Sequence, residues 1–292
     1  MTMTNDKASA VWVSHSSISD FLACPRAYYL KNIYRNPKTG NKIQRMSPPL
    51  ALGQVIHHVV ESLSSLPTKQ RFATPLLQRY TEAWENVSGK RGGFFSKETE
   101  QQYKHRGETI IRRVMNNPGP LERLSVKINM DLPQYWLSKK DGIILCGKID
   151  WLEYLPDINA VHIIDFKTGS GTEPKDSLQL PIYYLLTTKT QKYPVDSVSY
   201  WYLDRCDTPT KQDVPDIETA HKDVLRIAKK IKLARQLESF KCTQGDKQCY
   251  ACKPFEQIIA GSGEYVGIGE YGNDIFVLEE EINIPEGNGV IL

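Results

Sequence analysis

Asp150, Asp165 and Lys167 have the residue types and the spacing to do chemistry together. Asp150 ends an apolar run, 142–149, and the other two residues lie at the end of a second run, 160–166. Both runs are short, rich in Val and Ile and bounded by turn residues, so we predict two neighbouring strands joined by a tight turn. Because side chains alternate along a strand, Asp165 and Lys167 should share one face, and Asp150 should converge on it if the strands pair.

Two carboxylates and one ammonium group on the same face suit a hard divalent cation. Asp150 and Asp165 offer oxygen ligands to Mg²⁺ or Mn²⁺, which keep bound water for chemistry. Lys167 could position or deprotonate the attacking water, or stabilise charge on a phosphate. Taken alone, an Asp-x-Lys after an apolar run is common, and the aspartates could merely cap strands beside a solvated lysine. The surrounding segments must decide between these interpretations.

Two predicted helices carry further candidates. Residues 49–66 have apolar side chains at spacings of three and four, which indicates an amphipathic helix that contains His57. A histidine beside an apolar stripe is more often a hydrogen-bonded boundary residue than a ligand, and the alternative is that it projects towards the carboxylate face. A second helix is predicted to begin near Leu178. It places Gln179 and Tyr183, four residues apart, on one face.

The placement of four of the six cysteines is informative. Cys242, Cys249 and Cys252 lie close together in sequence, and Cys24 stands far away, before a proline. A chain with so few cysteines resembles an intracellular protein, in which thiols stay reduced, more than a disulfide-stapled secreted one. The other two cysteines lie in apolar, strand-like segments and are predicted to be core residues.

The composition is that of an ordinary globular protein of one large domain or two modest ones, with 292 residues, 40% of them hydrophobic and 24% charged. No apolar run has the length of a membrane span, and the N-terminus has no apolar signal core, so we expect a cytoplasmic protein. The net charge of +3 permits a nucleic-acid partner without demanding one. Residues 24–46 combine six basic residues and no acid with tyrosines, which suits phosphate and base contacts, although a solvated surface explains the charges equally well.

The remaining segments are predicted from their periodicity and their turn residues. In chain order, they are a flexible N-terminus (1–13), a helix that starts near Ile18, a loop (36–49), a helical insertion (68–117), strands at 124–132 and 195–203, a basic amphipathic helix (216–239), a cysteine segment (240–258) and a tail or hairpin (261–292).

The motifs in this order resemble the PD-(D/E)XK nuclease superfamily, and more narrowly its RecB-like exonuclease branch, which includes CRISPR-associated RecB-like and AddB-type nucleases. Each motif is weak alone, but five in the family's order are a specific signal, because chance must place them all. The motifs are the segment Ser16 to Tyr29, with its Cys-Pro-Arg, then Gly53-x-x-x-His57, Gly147-Lys148-Ile149-Asp150, Asp165-Phe166-Lys167 and Gln179-x-x-x-Tyr183.

The resemblance implies a restriction-endonuclease-like α/β fold over residues 14–260, with a mixed central sheet flanked by helices, and metal-dependent phosphodiester hydrolysis. By resemblance, Lys167 is the catalytic lysine. The implied metal ligands are His57, Asp150, Asp165 and the backbone carbonyl of Phe166. The implied substrate contacts are Gln179 and Tyr183, with Arg26, Lys175 and Arg205 as further candidate phosphate contacts.

The resemblance also implies a role for the cysteines. Many members of this branch hold a 4Fe-4S cluster with one N-terminal cysteine and three near the C-terminus, and Cys24, Cys249 and Cys252 match that pattern. The usual last ligand is absent, since Ile258 stands there, and Cys242 upstream could replace it. By count, four thiolates fit a 4Fe-4S cluster or a structural zinc ion equally well. The alternative is that the pair Cys249 and Cys252 is a remnant that binds no metal and that Cys24 is a buried core residue.

The sequence therefore predicts a Mg²⁺- or Mn²⁺-dependent deoxyribonuclease, an exonuclease acting on single-stranded DNA or DNA ends and carrying an iron–sulfur cluster. The alternative is a non-cleaving nucleic-acid-binding or assembly subunit of a DNA repair, CRISPR or phage complex. The presence of both aspartates, the lysine and the glutamine favours the enzyme. The chain departs from the family pattern at one place, because Val126-Lys127-Ile128 stands where the family often has a glutamate, with Asp131 nearby. Without that glutamate, the number of bound metal ions could differ from that of the family.

Overall fold

Helices and strands alternate along residues 7–279, the part of the chain that the computed structural model describes. The strands are β1 (Val11–Val13), β2 (Ile43–Arg45), β3 (Gln134–Ser138), β4 (Ile143–Cys146), β5 (Trp151–Leu155), β6 (Ala160–Lys167), β7 (Val195–Tyr202), β8 (Thr210–Gln212), β9 (Glu264–Ile268) and β10 (Asp274–Val277). The α-helices are α1 (His15–Ala23), α2 (Pro25–Tyr28), α3 (Pro48–Ser62), α4 (Leu76–Trp84), α5 (Lys97–Asn116), α6 (Gln179–Thr190), α7 (Ile217–Gln236) and α8 (Lys253–Ile259). Within the described range, no helix has the length and apolarity needed to cross a bilayer.

The central sheet has the strand order β5-β6-β7-β8 and mixed directions. Strand β6 runs antiparallel to β5 and parallel to β7, with Trp151 opposite Ile164 and Asp165 opposite Tyr200. The predicted tight turn is present, because residues 156–159 close a hairpin, and the strands that it joins are β5 and β6. The prediction was wrong about the first strand. The run before Asp150 forms β4, which lies in another sheet, and Asp150 immediately precedes β5.

Helices cover both faces of the central sheet. Phe166 and Trp201 pack in one apolar cluster with residues of α3, α4 and α5. Ile163 and Val198, on the opposite face, pack in a second cluster with residues of α6 and α7. Burial on both faces explains why β6 reads as a continuous run of Val and Ile rather than as an alternating strand. The mixed α/β architecture predicted for the chain is confirmed.

Two further three-stranded sheets use short strands that the sequence did not reveal. Strand β1 pairs in parallel with β4, so Val11–Val13 are ordered rather than part of a flexible N-terminus. Strand β2 pairs in parallel with β10, inside the segment predicted to be a loop, 36–49. A three-residue strand carries almost no periodic signal, and its partner lies more than 100 residues away in each case. Only the tertiary contact therefore defines it.

The predicted strand at 124–132 is wrong, because this segment forms only an isolated bridge between Ser125 and Glu153. The backbone N–H of Val126 still donates to the carbonyl of Leu152, so the segment runs beside β5 without forming a ladder. The strand in this part of the chain is β3, which begins after the predicted segment. A short turn joins β3 to β4, and the two strands pair in antiparallel directions.

The predicted helices form, with small shifts in their ends. Helix α1 begins before the predicted Ile18, because Ser14 is the N-cap and exchanges hydrogen bonds with Ser17 in a capping box. Helices α3, α6 and α7 begin within two residues of their predicted starts, and α4 and α5 lie in the predicted helical segment 68–117. In the tail, β9 and β10 form the predicted hairpin. The rest of the tail, 280–292, and residues 1–6 lie outside the described residues.

Candidate active site

Asp150, Asp165 and Lys167 meet at one end of the central sheet. The carboxylate of Asp150 accepts a hydrogen bond from the backbone N–H of Phe166 at 2.9 Å, which ties the start of β5 to the end of β6. Asp165 is fully buried, and the ammonium nitrogen of Lys167 lies 3.0 Å from its Oδ2 atom. The alternation of side chains along β6 places Asp165 and Lys167 on one face, as the sequence predicted.

Helix α6 supplies the polar side chains that hold these groups. The Gln179 amide donates to Oδ1 of Asp165 at 2.5 Å, and its carbonyl oxygen accepts a hydrogen bond from Lys167. The Tyr183 hydroxyl lies 3.5 Å from Oδ1 of Asp150 and 3.4 Å from the Gln179 amide nitrogen. Residues four apart on a helix share a face, so one helix contacts both carboxylates.

Helix α3 brings His57 to the same place. Nδ1 of His57 lies 2.7 Å from Oε1 of Glu61, one helical turn away, and 3.6 Å from Oδ2 of Asp150. The helix approaches closely because Gly53 has no side chain, since a Cβ atom there would lie 3.2 Å from the hydroxyl of Thr168. Between the two interpretations of His57, the structure thus favours a site residue over a plain boundary residue.

Burial and like charge raise the pKa values of both carboxyl groups. Burial raises the pKa of Asp150 well above its usual value, and the charge of Asp165 adds to the effect. Burial likewise raises the pKa of Asp165, although Lys167 opposes this rise. Burial alone would lower the pKa of His57, but the hydrogen bond to Glu61 and the charge of Asp150 raise it to about 9. The site concentrates negative charge and draws on nearby cations to balance it.

The residues present fit a bound divalent cation. The ligand atoms of His57, Glu61 and Asp150 all lie within 4.8 Å of one another. An imidazole with two carboxylates is a donor set suited to Mn²⁺, and carboxylates with water suit Mg²⁺. Oδ2 of Asp165 is buried, and the Lys167 ammonium nitrogen lies 3.0 Å from it as its ion-pair partner.

The sequence analysis missed two acidic residues of the site. Glu61 lies four residues after His57 on the same helix, a spacing that could have identified it. Glu173 has its Oε2 atom 3.1 Å from the Lys167 ammonium nitrogen, and the Ser177 hydroxyl donates to its other oxygen. Glu173 lies in an irregular loop, where no periodic pattern marks it.

A cavity of about 1000 Å³ opens beside these groups. His57, Glu61, Asp150, Gln179 and Tyr183 line one part of it. The tip of the β9–β10 hairpin lines another part, where the Tyr271 hydroxyl and the Lys148 ammonium nitrogen lie 2.7 Å apart. The cavity gives a large ligand access to the carboxylates.

The other candidate substrate contacts lie elsewhere. Arg26 pairs with Glu256 at 2.5 Å, and Lys175 is exposed in the loop before α6. Arg205 donates hydrogen bonds to the carbonyl groups of the loop 169–171, so its guanidinium group fixes this loop, and its role as a phosphate contact stays a prediction. Among the described residues that line the cavity, none of the three arginine and lysine candidates occurs.

The four predicted cysteine ligands come together in a second site. The sulfur atoms of Cys24, Cys242, Cys249 and Cys252 all lie within 4.8 Å of one another. Burial would raise the pKa of the Cys249 thiol, but backbone N–H groups and a neighbouring thiol lower it to about 7. The grouping contradicts the alternative of a remnant pair. By count, the four clustered thiolates fit a structural zinc ion or an iron–sulfur cluster.

The family comparison agrees with the fold and the site. A family model of the PD-(D/E)XK nuclease superfamily matches residues 12–255, and the chain belongs to this superfamily. No match to a curated protein was found. The matched range contains the carboxylate site and all four clustered cysteines. Membership supports a metal-dependent nuclease, whereas the narrower RecB-like branch stays a prediction.

Proposed function

We propose that the protein is a Mg²⁺- or Mn²⁺-dependent deoxyribonuclease, and that it acts as an exonuclease on single-stranded DNA or DNA ends. The observation that carries this proposal is the single network that joins the metal-binding group of His57, Glu61 and Asp150 to Lys167. Asp165, Gln179 and Tyr183 connect the two parts through contacts of 3.5 Å or less. Such a network holds the groups that phosphodiester hydrolysis needs in fixed positions.

A divalent ion held by these residues would polarise the scissile phosphate and supply a water of lowered pKa. Asp165, Gln179 and Glu173 hold the amine of Lys167 in place. Burial opposes the charge of Lys167, but Asp165 and Glu173 outweigh it and raise its pKa above the usual value. The side chain is therefore an ammonium group at neutral pH. This supports a role in stabilising negative charge on the phosphate, and it argues against a role as general base.

The cavity supports a polymeric substrate. Its walls carry the basic side chains of Lys148 and Arg91 and the exposed ring of Tyr271. Basic and aromatic groups suit a backbone phosphate and a stacked base of a single strand. The preference for DNA and for free ends rests on the resemblance to RecB-like exonucleases, as do the predicted partners in repair, CRISPR or phage complexes. The cytoplasmic location rests on the hydropathy pattern of the sequence.

The test is a cleavage assay with end-labelled single-stranded, double-stranded and circular DNA and a matched RNA, in Mg²⁺, Mn²⁺ or EDTA. Lys167→Met removes the charge and keeps the length of the side chain, and Lys211→Met, at the exposed edge strand β8, is the matched control. We expect Lys167→Met to lose cleavage by about 100-fold or more, as for other groups that stabilise transition-state charge, with DNA affinity retained. The control should behave as wild type.

Three results would count against the proposal. Wild-type cleavage by Lys167→Met would remove the assigned role of the lysine. Cleavage of circular single strands at the rate of linear ones would replace exonuclease with endonuclease action. DNA binding without cleavage in any metal would favour the alternative, a non-cleaving nucleic-acid-binding or assembly subunit.

A further inference from the structure

The cysteine cluster joins two distant parts of the chain. Cys24 is the N-cap residue of α2, and the other three cysteines lie between α7 and α8. Sulfur–sulfur distances are 3.7 Å between Cys249 and Cys252 and 3.6 Å between Cys252 and Cys242. All six cysteines of the chain are free thiols, so these contacts are not disulfides. The cluster therefore has the form of a ligand set.

The distances select the kind of metal. A tetrahedral zinc site with Zn–S bonds of about 2.3 Å places its sulfur atoms ~3.8 Å apart. In a 4Fe-4S cluster each cysteine binds a different iron atom, which spreads the sulfur atoms to ~6 Å. The distances of 3.6 and 3.7 Å agree with the first geometry, and all four sulfur atoms lie within 4.8 Å of one another, closer than the second geometry requires. We propose that Cys24, Cys242, Cys249 and Cys252 bind one zinc ion, in place of the iron–sulfur cluster that the resemblance implies.

The surroundings of the sulfur atoms suit a closed structural site. The backbone N–H of Gln244 donates to the sulfur of Cys242 at 3.4 Å, and the backbone of Arg26 and Ala27 bonds to the sulfur of Cys24. Such N–H···S bonds orient thiolate ligands and share their charge. Four cysteine ligands fill a tetrahedral zinc site and leave no position for a substrate, and Cys24 and Cys252 are fully buried.

The ion would hold one wall of the active-site cavity. Cys24 and Cys252 belong to an apolar cluster that also contains Ile43 of β2, with Phe276 of β10 packed against it. The sheet of β2, β10 and β9 ends in the hairpin tip whose Tyr271 contacts Lys148 at the cavity. The zinc site therefore anchors the base of the hairpin whose tip shapes the substrate path. Arg26, paired with Glu256 of α8, reinforces the same junction.

The first experiment measures composition, so it does not depend on whether the protein cleaves DNA. The full chain is purified under anaerobic conditions, and zinc, iron and acid-labile sulfide are measured for the wild type, for Cys24→Ser and for the matched control Cys206→Ser, whose thiol lies outside the cluster. We expect about one zinc per wild-type chain, no sulfide and no broad visible absorption. Cys24→Ser should lose the zinc and Cys206→Ser should keep it.

A cobalt titration keeps the test decisive if Cys24→Ser fails to fold. The wild-type protein is stripped with a chelator under reducing conditions and titrated with Co²⁺, which takes the same tetrahedral thiolate geometry as zinc. We expect the intense visible bands of a tetrahedral cobalt thiolate, saturating at one equivalent and abolished by one equivalent of Zn²⁺.

Several outcomes would overturn the zinc assignment. They are stoichiometric iron in the anaerobic protein, with or without sulfide, a wild-type chain without metal, zinc retained by Cys24→Ser, and the weak spectrum of octahedral cobalt. None of these results bears on the carboxylate site. Loss of DNA cleavage in Lys167→Met together with iron at the cysteines would leave the proposed nuclease function intact and remove the zinc site alone.

Discussion

Two buried aspartates should respond in opposite directions to the same substitution. Asp150 has a side chain only 9% exposed, and burial together with the charge of Asp165 raises its pKa. When the pKa of a carboxyl group is higher in the folded state than in the unfolded state, the free energy of unfolding falls as the pH rises. This fall begins at the pKa of the unfolded state, near 4. Asn at position 150 removes this charge and keeps an oxygen that accepts from the N–H of Phe166. We expect Asp150→Asn to stabilise the metal-free protein.

The size of the gain follows from the linkage between charge and folding. Each pH unit above the unfolded-state pKa of Asp150 lowers the free energy of unfolding by up to about 1.4 kcal/mol, until the pH passes the folded-state pKa. The imidazolium group of His57, 3.6 Å from Asp150, offsets part of this cost. We expect Asp150→Asn to raise the free energy of unfolding by about 2 kcal/mol at pH 7 in EDTA, a typical size for removal of a functional charge. The gain should vanish near pH 4, where both proteins carry a neutral group.

Asp274→Asn is the matched control. This side chain is also fully buried, and burial opposes its ionisation, but hydrogen bonds from Thr39, Asn41 and Asn36 outweigh burial and lower its pKa. An asparagine at position 274 has only one side-chain oxygen, so its NH2 group would face at least one of these hydrogen-bond donors. Loss of one hydrogen bond to a charged group costs about 1.5–3 kcal/mol, so the free energy of unfolding should fall by that amount.

The assay is urea denaturation of the three proteins between pH 4 and 8, in EDTA and in Mg²⁺. An ion that binds only the folded state adds about 1.4 kcal/mol at ten times its Kd. Mg²⁺ should therefore stabilise the wild type and Asp274→Asn, and it should have little effect on Asp150→Asn, which lacks a ligand. Equal destabilisation by both substitutions in EDTA, or equal stabilisation of all three proteins by Mg²⁺, would refute the charge argument.

Three further predictions concern residues that position the site groups or pack the helices beside the central sheet. Glu61→Gln keeps an acceptor for His57 but removes a charge, so the imidazole pKa should fall from about 9 by about one unit in an NMR titration of the metal-free protein. An unchanged pKa would contradict the assigned pairing. Gln179→Met should slow cleavage by about 100-fold because Asp165 and Lys167 lose their bridge, whereas Gln191→Met, at the far end of α6, should not. Similar rates for these two variants would exclude a positioning role for the bridge. Gly107→Ala should destabilise the protein by about 2 kcal/mol or more in urea, because its Cβ atom would lie 2.1 Å from a buried tyrosine hydroxyl, and wild-type stability would show that α4 and α5 are not packed this closely.

The sequence by itself determined the features that depend on local periodicity. The alternation of side chains along a strand put Asp165 and Lys167 on one face, and the helical spacing put Gln179 and Tyr183 together. The same periodicity located α3 and α7, and a proline that only the first turn of a helix tolerates located the start of α6. These features need no knowledge of the rest of the chain, because backbone geometry repeats every two residues in a strand and every 3.6 in a helix.

Only the tertiary structure decided which elements meet and how closely. Strands β1 and β2 exist through partners more than 100 residues away, and Glu173 approaches Lys167 from an irregular loop. The cysteine count left zinc and an iron–sulfur cluster equally possible, and the proposal of zinc depends on the distances between sulfur atoms. The physical reason is common to all three cases. Local preferences set the conformation of a short segment, whereas distances between segments depend on packing of the whole core.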